Sequence, residues 1–155
     1  MITATGVDDS VADVDISYQI DVAVTSKDSK YSGLSVDPIE LTNVDNETAA
    51  IVLGTLSTTT VAETATTATF TVKLSSEPQL DVTFPVTSSD TTEGTVNSES
   101  LTFTSSNWST VQNVTVTGVD DPVRDGDIAF QVTVGPTTSS SAPYNNRSAL
   151  YQALT

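Results

Sequence analysis

Four aspartates, Asp120, Asp121, Asp125 and Asp127, crowd into the nine residues "VDDPVRDGD". A second set, Asp8, Asp9, Asp13 and Asp15, fills "VDDSVADVD" near the start of the chain. Carboxylates this dense repel one another at short range, so either some protonate or a cation neutralises them. Calcium takes about six to eight oxygen ligands at roughly 2.3–2.6 Å from flexible loops and suits such a set. Magnesium, which demands stricter octahedral geometry and keeps its waters, ranks second. Asp-Asp and Asp-Gly-Asp are also good turn formers that can splay into solvent, so residue type alone leaves both readings open.

Composition narrows the chemistry. The chain has no histidine and no cysteine. That removes the commonest general base, thiol catalysis, disulfides and thiolate zinc sites together. With 20 acidic residues against 5 basic ones and a net charge of −15, the chain repels nucleic acid and anionic membrane. No apolar run approaches the length of a membrane span. Met1–Thr5 reads as strand and not as a secretory leader, so a secreted form is expected to be a piece of a longer chain.

The two aspartate sets belong to a longer internal match. "ITATGVDDSVADVD" (Ile2–Asp15) is respelled as "VTVTGVDDPVRDGD" (Val114–Asp127), and "ISYQI" as "IAFQV". Residue 2 pairs with 114 and residue 20 with 132, a constant offset of 112. Such self-similarity is the signature of a repeat architecture. Val14 stands where the second copy has Gly126, which predicts a tighter or less well-formed first loop.

The segments that would position these loops alternate with period two. Ala68, Phe70, Val72 and Leu74 share one face of "ATFTVKL", and Val82, Phe84 and Val86 one face of "DVTFPVT", where Pro85 suggests an edge or a bulge. Leu101 and Phe103, Val114 and Val116, and Ile128, Phe130, Val132 and Val134 continue the pattern. Ile16, Tyr18, Ile20, Val22 and Val24 repeat that last stripe, making Tyr18 and Phe130 core aromatics by phase. About six strands fall between Ile51 and Val134, one short of an immunoglobulin-like sandwich. Met1–Val7, Ile16–Val24 and Val36–Val44 read as the last three strands of a preceding sandwich. The expected fold is all-β, with immunoglobulin-like antiparallel β-sandwich repeats in tandem: residues 1–47 close one repeat and 48–155 form the second. The tail after Gly135 should add its last strand but lacks an equivalent of "VDPIELTN".

"ETATTATFTVKLSSEPQLDVTFPVTSSDTTEGTV" followed by "SLTFTSSNWSTVQNVTVTGVDDPVRDGDIAFQVTV" resembles a Calx-beta-type repeat, as found in tandem in large bacterial surface and adhesin-like proteins. The resemblance covers Ala50–Val134 in full and Met1–Glu47 as the back half of another copy. It implies a sandwich that binds calcium in loops at one end. Glu63 then matches the acidic residue ahead of the second strand, and Asp90 with Glu93 the C–D turn. Asp120, Asp121, Asp125 and Asp127 match the E–F loop. Aspartate replaces the glutamate of many members there, which bears on ligand number and affinity.

The last strand of the first repeat should end beside its aspartate loop, bringing Asp45 and Glu47 near Asp8, Asp9, Asp13 and Asp15 as an interdomain calcium site. The functional expectation is a non-enzymatic, calcium-stiffened spacer at the cell surface or outside the cell, its partners being neighbouring repeats. Glycosidase-type acid pairs are disfavoured, because these acids gather in one loop instead of facing each other across a cleft. Strand complementation between copies of the chain is one alternative. A carbohydrate-binding module is another, with Trp108 as first suspect, although Trp108 reads better as a cap over the sandwich bottom. A surface glycan is a further partner; Asn46, Asn107, Asn113 and Asn146 match the N-glycosylation pattern, which a Ser/Thr-rich chain also yields by chance.

Overall fold

The computed structural model describes residues 1–124 and 126–154. The described residues are all-β with antiparallel strand pairs, and they divide into two compact units. Unit 1 holds Met1–Asp9 and Asp13–Asn46; unit 2 holds Ser10–Ala12 and the chain from Glu47 onward.

Unit 1 contains a single two-stranded sheet. Strand β1 (Ile16–Ile20) pairs antiparallel with β2 (Ile39–Asn43), from Ile20 opposite Ile39 to Ile16 opposite Asn43. Ile16, Tyr18 and Ile20 therefore share a face with Ile39 and Leu41, since side chains alternate along a strand. Met1–Val7, expected as a strand, is not one. Its counterpart in the second copy pairs on both sides, and no such neighbours flank it within unit 1. Tyr18, expected in a core, is 37 % exposed. Its phase along the strand is right, but no second sheet of unit 1 lies over it.

Unit 2 has two four-stranded sheets. One runs in the order β3 (Ile51–Leu53), β4 (Thr67–Leu74), β8 (Gln112–Gly118), β6 (Gly94–Val96). The other runs β10 (Ala149–Leu154), β9 (Phe130–Val134), β5 (Val82–Ser88), β7 (Ser100–Phe103). Alternation buries Phe70, Val72 and Leu74 of β4, Phe84 of β5, Phe103 of β7, Val114 and Val116 of β8, and Phe130 and Val132 of β9 in one cluster. Phe84 and Phe103 stack with centroids 5.8 Å apart. Threonines fill the opposite face of β4 and β8, where Thr67 faces Thr117 and Thr69 faces Thr115. Seven strands thus lie between Ile51 and Val134 where six were expected. The extra one is β6, three residues long and set among turn residues.

Pro85 lies inside a sheet rather than at its edge, and it marks an irregularity. Thr83 faces Thr138 and Val86 faces Val134, so β5 advances three residues while its partner advances four. The ladder tolerates a residue without an N–H where it is already broken.

The tail after Gly135 does form a strand, β10, antiparallel to β9. Before it, a short 3₁₀ turn (Ala142–Tyr144) buries Tyr144. The Tyr144 hydroxyl donates to the Ser76 carbonyl at 2.7 Å and accepts from the Ser76 amide at 3.0 Å. That bond ties the turn before β10 to the end of β4. At the same corner Glu77 donates its amide to Ser10 O at 2.6 Å, and Ala12 is buried in the core.

Candidate metal centre

Three connections at one end of unit 2 carry the acidic residues singled out in the sequence: β3 to β4, β5 to β6, and β8 to β9. They line a cavity of about 680 Å³ whose wall includes Glu63, Glu93, Asp121 and Asp127. Two opposed glycines let these connections close in. Gly94 and Gly118 face each other across β6 and β8. A Cβ on Gly94 would sit 2.3 Å from the Phe130 ring, and one on Gly118 would sit 2.3 Å from the Ala62 carbonyl oxygen. Phe130, 2 % exposed, forms part of the cavity floor with Val119 and Ile128.

The β8–β9 connection is shaped by its own aspartate. Asp121 Oδ1 accepts the amide of Val123 at 2.7 Å, an Asx-type turn. Gly126 follows with φ +82, the left-handed region that glycine enters without steric cost. Asp125, named from the sequence, lies outside the described residues.

Asp90 and Asp120 are not in the cavity wall. The Asp90 carboxylate is held by its own turn, accepting from the Thr92 hydroxyl at 2.5 Å and the Thr92 amide at 3.0 Å. The Thr92 hydroxyl bond, then the Thr92 amide, hold its pKa below the usual carboxylate value against a smaller desolvation effect. Asp90 therefore shapes the β5–β6 turn that presents Glu93.

Arg124 also lines the cavity. It is one of only 5 basic residues in the chain, and its place amid the aspartates was the signal that a count of acids passes over. The acids of the cavity wall come from three separate connections: Glu63 from β3–β4, Glu93 from β5–β6, and Asp121 and Asp127 from β8–β9.

In unit 1 the junction acid meets the first aspartate loop. Asp45 Oδ2 accepts the amides of Asp13 at 3.1 Å and Val14 at 3.0 Å, while Asp15 Oδ1 accepts the amide of Asp45 at 2.9 Å. Asp13, Asp15 and Asp45 are thus brought together by reciprocal backbone bonds. Asp8 and Asp9 precede this turn in the exposed stretch, and Glu47 belongs to unit 2. Val14 holds φ +79, the same left-handed region that Gly126 holds at φ +82 in the second copy.

The donors present are carboxylates, the ligand type calcium prefers. Among the described residues, however, no three acidic side chains converge closely enough to share one ion. The residue types fit a hard cation; ligand-distance convergence would require the connections to draw together.

Trp108 packs against the core beside the β7–β8 turn, where its carbonyl accepts the Leu74 amide at 2.9 Å. Asn107 uses its side-chain oxygen to accept the Thr104 amide at 2.6 Å. Among the described residues no helix is long and apolar enough to cross a membrane. Comparison with protein-family models, with curated proteins and with solved structures finds no match to this chain.

Proposed function

We propose that unit 2 is an immunoglobulin-like sandwich repeat of the Calx-beta type that binds calcium at its acidic end and serves as a structural spacer outside the cell. The observation that carries the calcium reading is the cavity that gathers Glu63, Glu93, Asp121 and Asp127 from three connections. The sandwich reading rests on the strand orders β3-β4-β8 and β10-β9-β5 around one core, which follow the A-B-E and G-F-C orders of that architecture.

Because among the described residues no three carboxylates share an ion's coordination distance beforehand, calcium binding in this reading draws the acidic connections together. It brings these connections onto one centre and stabilises the folded end by mass action. Glu63, Glu93, Asp121 and Asp127 would hold the ion, and Arg124 would oppose it. When bound, calcium supplies charge neutralisation and no chemistry.

The test is calorimetric titration of the intact chain with calcium and with magnesium. Saturable calcium binding that weakens in Asp121→Asn is expected. Heats indistinguishable from dilution would refute the reading. Acids facing one cavity also favour a hydrolytic assay. Turnover of a polysaccharide panel that is lost in Asp121→Asn would put an enzyme in place of the spacer.

A further inference from the structure

We infer that β1–β2 is the closing hairpin of another sandwich, and that its apolar face is covered by a β-sheet half with the chemistry of residues 48–113, joined to it in the same chain. The inference rests on the repeat reading and does not depend on calcium.

The first observation is register. Ile20 faces Ile39 in β1–β2, and Val132 faces Tyr151 in β9–β10. Both members of that pair are displaced by the offset of 112 that the sequence shows. The sequence match itself ends at Val132, so β2 and β10 are related by this pairing alone; the register then slips by one at Phe130, which pairs with Leu154. On that pairing β1 corresponds to β9 and β2 to β10.

The second observation is what happens to the shared face. In unit 2, Phe130, Val132 and Val134 are buried at 2 % exposure or less. The counterparts of Phe130 and Val134 are Tyr18 and Val22, each 37 % exposed, and Ile16 and Ile39 on the same hairpin are each 51 % exposed. In unit 2 the covering comes from the sheet containing β4 and β8, and the free edge of β9 is taken by β5, with Val86 opposite Val134. The hairpin of unit 1 thus presents both a face and an edge, and strands β3–β7 occupy the equivalent face and edge in unit 2.

Size decides between occupants. A two-stranded face five residues long spans about 17 Å by 10 Å, on the order of 200 Å². Each partner of a stable complex contributes about 800 Å², so a second copy docking face to face is too small an interface. A covering half joined in the same chain escapes that requirement, because its effective concentration is in the millimolar range or higher. It also gives Ile2–Gly6, irregular here, a sheet to join: Val114–Gly118, its counterpart, is flanked by β4 and β6.

The experiment fuses a copy of residues 48–113 directly ahead of Ile2 of the full chain, so that Asn113 precedes Ile2 as it precedes Val114. Hydrogen exchange is read with chelator present, which separates the result from the calcium reading. The amides of β1 and β2 should exchange at least about tenfold more slowly in the fusion than in the unfused chain. Tyr18→Asp in the fusion should return them to the faster rate while those of Phe84 and Val116 in unit 2 stay protected. Equal exchange in fused and unfused chains would overturn the inference, as would protection that survives Tyr18→Asp. An unfused chain that is dimeric by mass and already protected at β1–β2 would also overturn it, in favour of a second copy.

Discussion

Val14 and Gly126 lie 112 residues apart and hold the same left-handed backbone, at φ +79 and φ +82. A β-branched residue pays a steric cost there that glycine does not. The first loop keeps the conformation because Asp45 accepts the Val14 and Asp13 amides and returns its own amide to Asp15. Gly126→Val should therefore destabilise unit 2 by about 1–2 kcal/mol. Val14→Gly should slow hydrogen exchange at the Val14 and Asp45 amides. Urea unfolding checks the first and exchange the second; a neutral Gly126→Val would mean that the turn does not persist.

Tyr144 should act as a structural pin. Its hydroxyl bonds both the amide and the carbonyl of Ser76, and all these groups are buried. Tyr144→Phe leaves two backbone groups without their partner and should cost about 1–3 kcal/mol in urea unfolding. A loss under about 0.5 kcal/mol would argue that water replaces the hydroxyl.

Asp90 gives a pH prediction with a defined sign. Its folded pKa lies below the usual carboxylate value, first because of the Thr92 hydroxyl. Its contribution to stability is therefore complete above the unfolded pKa and lost as pH falls through the lower folded value. Thr92→Val removes the largest cause and keeps the amide bond. The Asp90 carboxyl should then titrate closer to the usual value in an NMR pH series, and an unmoved titration would assign the shift to the amide alone.

Arg124 places a positive charge in the wall of the acidic cavity. Arg124→Gln should tighten calcium binding by about two- to fivefold, the scale of one partly exposed charge interaction. Titration calorimetry reads this directly; unchanged affinity would mean that Arg124 points away from the ion.

The core of unit 2 was legible in the sequence because its strands bury one face and alternate strictly, as Phe70, Val72 and Leu74 do. The offset that links β1 to β9 was legible too. Strand β6 was not, since Gly94–Val96 is too short to show a period and Gly94 is there to make room for Phe130. A closing strand after Gly135 was expected, but the tail has no equivalent of "VDPIELTN" to locate it; β10 follows a turn whose Tyr144 bonds Ser76, 68 residues distant. Tyr18 shows the limit of phase arguments: alternation says which side chains share a face, not whether a second sheet covers it. At the candidate site, residue type named the acids but could not separate Asp121, in the cavity wall, from Asp90, engaged by its own turn.

The central claim is that the acidic end of unit 2 grips calcium. A thermal melt of the intact chain in calcium, in magnesium and in chelator tests it most directly. At calcium about a hundredfold above its dissociation constant, binding to the folded state alone adds about 2.7 kcal/mol and should raise the midpoint by roughly 10 °C over chelator, with a smaller rise in magnesium. Three superimposable melts would contradict the account.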